Sequence, residues 1–184
     1  MNSLKDARVL TEAALAIALA FVLGLITLFR MPLGGSVSLE MVPLIVLALR
    51  QGWKVGMLAG GAYGLLNLAI NPVILHPVQV LFDYPLPFAA LGLAGLFSPT
   101  TSGAIAGSIV AVLARFACHF VSGVAFFAAF APEGWNPLVY SAAYNAAYLV
   151  PSLVIVLVAV PVLLRALGQA RPSDRQIKAS GGVT

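Results

Sequence analysis

The sequence predicts an all-α integral membrane protein, a bundle of six transmembrane helices with both termini in the cytoplasm. Three observations predict it. Hydrophobic residues make up 61% of the 184-residue chain and charged residues only 9%, against about 25% charged in soluble domains. The mean hydropathy is +1.01. Apolar runs are broken by Pro, Gly and short polar turns at intervals that suit a bilayer crossing, which takes about 20 helical residues.

The first span is expected over 9–29. Its apolar run from Ala13 to Phe29 is longer than a signal-peptide core and lacks a convincing cleavage site, so it reads as retained. The stretch RMPLGGSVS, from Arg30 to Ser38, is a Pro/Gly/Ser loop. A second span over 38–50 is too short to cross fully and ends at the polar turn RQGWK, Arg50 to Lys54. The third covers 54–71 and stops at Asn71-Pro72. His76-Pro77 opens the fourth, over 76–96, with proline at the first helical position. Pro85 and Pro87 interrupt it locally. FSPTTS, at 97–102, turns the chain into the fifth span over 103–130. APEGWNP, at 131–137, leads into the sixth over 137–167, with Asn136 as cap. Residues 1–168 thus form one membrane domain, and the polar stretch 169–184 a cytoplasmic tail expected to be disordered.

Orientation follows from the basic residues. With the N-terminus inside, Lys5, Arg8, Arg50, Lys54, Arg165, Arg171, Arg175 and Lys178 all lie on the cytoplasmic side and only Arg30 in an outer loop. The net charge of +4 is not gathered into a patch, so nucleic acid is not an expected partner. The lone Cys118 excludes an intrachain disulfide. The chain has no GxxxxGK[ST] phosphate loop and so hydrolyses no ATP itself. HExxH, GxSxG and CxxC are absent, and neither metal nor cofactor is expected.

Small residues recur at helical spacing. Gly52, Gly56, Gly60 and Gly64 repeat every fourth position, as do Gly103 and Gly107. Such faces let helix backbones approach closely in lipid. The first span carries two AxxxA faces, Ala14/Ala18 and Ala16/Ala20. Each serves either packing inside the bundle or docking of another membrane subunit.

The polar residues inside spans are few and therefore informative. A carboxylate near mid-helix costs about 2.5–3.5 kcal/mol on insertion scales. Asp83 lies seven residues from the outer end of the fourth span, Asn145 eight residues into the sixth and His119 eleven residues from the outer end of the fifth, or about 10, 12 and 16 Å deep. Each belongs to a stripe: His76, Gln79 and Asp83; Arg115, His119 and Ser122; Ser141, Asn145 and Tyr148. Three helices thus place polar groups at comparable depth in the outer half, as a pocket open to the outside requires. The alternative for Asp83 is an internal ion pair with Arg115. Tyr84, Phe126, Phe127, Phe130, Trp135, Tyr140 and Tyr144 gather in the same half. Some belong to an interfacial belt, Trp135 especially. A carboxylate beside aromatic faces also suits a flat, cationic, nitrogen-rich ligand, each cation–π contact contributing about 0.5–2 kcal/mol.

The ordered motifs RMPLGGSVSLEMVPL, HPVQVLFDYPLPFAALGLAG, RFACHFVSG and FAPEGWNPLVYSAAYNAAYLVP resemble the thiamine-specific substrate-binding subunit of energy-coupling-factor transporters, over about residues 5–165. The resemblance implies a multi-pass subunit of the bacterial cell membrane that captures thiamine from outside. It is not itself an enzyme. Transport would need a transmembrane coupling subunit and two cytoplasmic ATP-binding-cassette ATPases. By the same resemblance Asp83, Tyr84, His119, Tyr140 and Asn145 contact the ligand, with Gln79 on the Asp83 stripe. The loop MPLGGSVS, with Ser36, covers the site, and the AxxxA faces (Ala14, Ala16, Ala18, Ala20) dock on the coupling subunit. Two positions depart from the family pattern. Asp83 stands where other members have Glu, and Phe127 where some have Trp, so that Phe127 or Trp135 stacks on the ligand. Competing readings are a sibling subunit for hydroxymethylpyrimidine or riboflavin, a solitary proton-coupled carrier, and an intramembrane enzyme using Asp83 and His119.

Overall fold

A computed structural model describes residues 6–168, so the tail expected over 169–184 lies outside the described residues. Six helical segments run alternately up and down: α1 (Ala7–Leu25), α2 (Met41–Gln51), α3 (Trp53–Ile70), a broken segment made of α4 (Pro77–Asp83), α5 (Pro85–Ala90) and a 3₁₀ stretch (Leu91–Leu96), α6 (Thr101–Phe126) and α7 (Pro137–Leu167). Four of these segments, 7–25, 77–96, 101–126 and 137–167, are long and apolar enough to cross a bilayer on their own.

The helix starts follow local chemistry. His76 Nδ1 accepts the Val78 amide and Asn136 Oδ1 the Leu138 amide, each just ahead of a proline at the first helical position. Pro85, with Tyr84 at φ −120° and ψ −80°, separates α4 from α5. A proline lacks the amide hydrogen that would continue the helix.

The short α2 is the centre of the bundle. Every residue from Met41 to Leu49 is buried. At 1.5 Å per residue its 11 residues rise only about 16 Å, and surrounding helices shield it from lipid. An apolar helix clothed in protein on all sides has no need of bilayer length.

The loop after the first span is more ordered than a Pro/Gly/Ser run suggests. The helix expected to reach residue 29 stops at Leu25, and two short antiparallel strands follow, β1 (Thr27–Arg30) and β2 (Ser36–Ser38). Periodicity could not separate the end of this apolar helix from an apolar strand. The reversal is made by Gly34 and Gly35, at φ +93° and +83°, values that only glycine adopts without strain. The hairpin occupies the space left above α2.

The glycines of α3 face the broken segment. A Cβ on Gly60 would meet the Phe88 carbonyl, and one on Gly64 the Tyr84 carbonyl. This close approach seats α5 and the break at Tyr84-Pro85 against α3, immediately after Asp83.

The basic residues of the helix ends collect at one end of the bundle. There Glu12 accepts from Gln51 at 2.6 Å and pairs with Arg8 at 3.4 Å. Arg50 reaches the Leu167 and Gly168 carbonyls, at 3.3 and 3.4 Å, that end α7. Positive charge marks this end as cytoplasmic.

Candidate functional site

A cavity of about 340 Å³ opens in the other half of the bundle, between the hairpin, α3, α4, α6 and α7. That is the lower range of small-molecule sites. Its lining includes Asp83, Tyr84, His119, Phe127, Tyr140 and Asn145, with Gln79 from α4 and Ser36 from the hairpin. Trp135 is 51% exposed on the outer loop and is not among the lining residues. Of the two stacking candidates, the structure brings Phe127 to the cavity.

Asp83 is the best-connected acid of the site. Its Oδ2 accepts from Gln79 Nε2 at 2.7 Å and Ser122 Oγ at 2.8 Å, and its Oδ1 lies 3.1 Å from His119 Nδ1. These partners come from α4 and α6, and the stripes along each helix are what bring them together. An ionised carboxylate selects the His119 tautomer with the proton on Nδ1. Nε2 is then an acceptor, and it has no partner among the described residues.

The alternative pairing of Asp83 with Arg115 is not formed, and Arg115 takes a different acid. Arg115 Nη2 meets Glu40 Oε1 at 3.3 Å, both side chains buried, and Glu40 Oε2 accepts from Tyr63 Oη at 2.8 Å. The Arg115 guanidinium also lies 4.0 Å over the Phe88 ring. Glu40 and Arg115 both line the cavity. Glu40 escaped the sequence reading because it stands at the seam between the loop and α2, where no stripe marks it. The one available signal was its rarity: it is one of six acids in the chain, and it sits inside an apolar run.

Charge in the site is therefore uneven. Glu40 is offset by Arg115, whereas Asp83 is held by two neutral donors and one imidazole. A carboxylate withdrawn from water without a charged partner is costly, and this one is part-buried.

Other side chains are largely spent on architecture. Asn145 Nδ2 donates to Ser141 O at 2.9 Å and His119 O at 3.3 Å, and Oδ1 accepts from Tyr148 Oη at 2.9 Å, which ties α7 to α6. The Tyr84 hydroxyl donates to Asn71 O at 2.8 Å and accepts the Val73 amide at 2.6 Å, leaving its ring for contact.

The hairpin is latched over the cavity. Tyr144 Oη accepts the Leu33 amide at 2.9 Å and donates to Gly34 O at 3.0 Å. Arg30 Nη1 reaches Asn71 Oδ1 at 3.3 Å. Gly35 packs so closely on the Tyr148 ring that a Cβ there has no room. Each hydrogen bond of this kind contributes about 0.5–1.5 kcal/mol net. Tyr144→Phe removes two of them and should speed release of a bound ligand roughly tenfold, with a smaller change in association. Stopped-flow displacement measures both rates, and an unchanged release rate would show that Tyr144 is no latch.

On α1 the two AxxxA faces separate. Ala16 and Ala20 are buried against the bundle, at 8% and 0% exposure. Ala14 and Ala18 are exposed, beside Leu15 and Leu19.

The sequence model of the thiamine transporter protein family matches residues 10–171. The thiamine transporter ThiT of Bacillus subtilis (strain 168) is 37% identical over 191 residues, which cover 95% of this chain and all of that one. The ThiT of Lacticaseibacillus paracasei is 32% identical, covering 92% of each chain. Among solved structures, ThiT from Listeria monocytogenes superposes with a TM-score of 0.80 at 30% identity, covering 88% of this chain and 96% of that one.

Proposed function

The chain belongs to the thiamine transporter protein family and is a multi-pass protein of the cell membrane, and from this premise we propose that it captures thiamine in the cavity beneath the hairpin. The observation that carries the assignment to this cavity is the Asp83 carboxylate, uncompensated by any cation of the lining while Glu40 already has Arg115. Thiamine brings a permanent positive charge on one ring and an aminopyrimidine on the other. Asp83 balances the charge. His119 Nε2 accepts from the exocyclic amine. Phe127, Tyr140 and the ring of Tyr84 offer aromatic faces, and Ser36 closes the outer side with the hairpin. Asn145 and Gln79 act chiefly by holding His119 and Asp83 in place.

Titration of the purified protein with thiamine, hydroxymethylpyrimidine and riboflavin tests this. Thiamine is expected to bind tightest. Equal or tighter binding of the pyrimidine alone would make the charged ring irrelevant, and tight riboflavin binding would assign the site to another vitamin.

Uptake is proposed to need partners: a transmembrane coupling subunit and two cytoplasmic ATP-binding-cassette ATPases. The exposed Ala14/Ala18 face of α1 is the proposed contact with the coupling subunit, since a smooth surface flanked by leucines permits close helix approach in lipid. Ala18→Trp should leave thiamine affinity within about twofold and reduce uptake into cells by at least tenfold, an interface anchor being displaced. Undiminished uptake would remove this face from the assembly, and uptake by the chain alone in liposomes driven by a pH gradient would favour a solitary carrier.

A further inference from the structure

The loop between α6 and α7 carries two side chains that the cavity does not use. Pro132-Glu133-Gly134-Trp135 is a closed turn: the Trp135 amide donates to the Pro132 carbonyl at 3.0 Å, and Gly134 stands third at φ +79°, where a type II turn needs a positive φ. The tip is free-standing, with open space around a Cβ built on Gly134. Glu133 is exposed at that tip and enters none of the ion pairs among the described residues. Trp135 beside it offers an indole to the outside. Both ends of the loop lead into the site. Phe127, which ends α6, and Tyr140, in the first turn of α7, line the cavity. Rings continue inward from each, Phe130 to Phe127 at 6.0 Å between centroids and Tyr140 to Tyr144 at 5.8 Å.

Among the described residues, the outer loops expose two side chains of the Asp, Glu, Lys and Arg types, Glu133 and Arg30. Arg30 lines the cavity itself and opposes the entry of a cation. Glu133 is thus the exposed anion on the side from which the ligand arrives. We propose that Glu133 and Trp135 form an encounter site, outside the cavity, that collects a cationic ligand before it passes inward to Phe127 and Tyr140. The proposal rests on thiamine as the ligand. The carboxylate attracts the cation over a range set by salt, and the indole face holds the same cation at contact through its quadrupole. Neither interaction is part of the seated state, so the pair acts on the rate of capture and favours cations over neutral rings. An indole serving only as an interfacial anchor needs no acid beside it.

The test reads association and release separately, by surface plasmon resonance on the full chain in nanodiscs of neutral lipid, with thiamine and with the uncharged hydroxymethylpyrimidine. At about 10 mM salt, where the Debye length is about 30 Å, E133Q should slow thiamine association about twofold and E133K about fivefold, since charge at the rim of a site acts mainly on encounter. At about 1 M salt, where that length falls to about 3 Å, both variants should match the unaltered protein. W135L should slow thiamine association about threefold at either salt, because a contact interaction is screened little. Association of hydroxymethylpyrimidine should be unchanged in E133K. Equal thiamine association by E133K and the unaltered protein at low salt overturns the proposal, as does an equal slowing of the uncharged ligand. A loss of affinity carried by faster release, with association unchanged, would place Glu133 in the bound site and overturns it too. Unaltered association in W135L would leave Trp135 a bilayer anchor and remove it from the encounter site. Failure of thiamine to bind the unaltered protein would instead overturn the functional reading on which the proposal stands.

Discussion

Asp83→Asn is expected to weaken thiamine binding about 100-fold while the bundle stays folded. Hydrogen bonds to a charged group contribute about 1.5–3 kcal/mol each, and a tenfold change in affinity corresponds to about 1.4 kcal/mol. The substitution keeps the shape and removes the charge. It also turns one acceptor oxygen into an amide donor facing Ser122, His119 and Gln79, which already donate to this carboxylate. Two measurements together check the prediction: calorimetric affinity for thiamine and for a neutral isostere of its charged ring, and thermal stability. The isostere should lose much less than thiamine. An equal loss for both ligands would mean that Asp83 acts through His119 rather than through charge. Unchanged affinity with a collapsed melting temperature would make Asp83 a structural tie between α4 and α6.

Gly60→Ala is expected to lower the melting temperature by about 10 °C, whereas Gly61→Ala, the same change one residue on, should not lower it. The Cβ at 60 would run into the Phe88 carbonyl, whereas that at 61 finds its nearest neighbour, the Ala89 Cβ, at 3.9 Å. A clash with backbone has no rotamer to relieve it. Overpacking of this kind costs typically 1–3 kcal/mol and sometimes more, and 1 kcal/mol moves a domain of this size by about 2–4 °C. At position 61 the only expected contribution is the better helix propensity of alanine, up to about 1 kcal/mol. Differential scanning fluorimetry in a mild detergent separates the two. Equal behaviour of the pair would mean that α3 and α5 slide apart freely, and that the glycine face does not fix the height of Asp83. If the face does fix it, Gly60→Ala should lose thiamine affinity as well.

Much of the site was legible because it is written along single helices. Asp83, His119 and Asn145 are polar interruptions at countable depth in apolar spans, and counting placed them together. The partners of Asp83 on its own stripe and on the stripe of His119, Gln79 and Ser122, follow from the same periodicity. What escaped is what depends on the chain folding back on itself. Glu40 is brought to Arg115 by the hairpin, and no spacing in the sequence relates residue 40 to residue 115. Periodicity therefore offers Arg115 only an acid on a recognised stripe, Asp83, as an alternative partner, and not the acid at the seam. The hairpin was misread for a related reason: between Leu25 and Arg30 an apolar helix end and an apolar strand have the same composition. The faces of α1 were evident as two AxxxA repeats, but only packing could assign Ala16/Ala20 to the interior and leave Ala14/Ala18 outside.

The hairpin carries one more consequence. Its cavity side runs from Arg30 to Ser36, but Leu28 and Phe29 on β1 are 67% and 55% exposed on the outside. Since α2 rises only about half the hydrocarbon thickness, the hairpin above it stands at the depth of the outer leaflet. A flap greased on its outer surface cannot swing without exchanging acyl-chain contact for headgroups or water. If the ligand enters beneath this hairpin, its entry is a mechanical transaction with the bilayer as well as with the protein, and acyl-chain length is expected to join ligand concentration as a variable that sets the rate of capture.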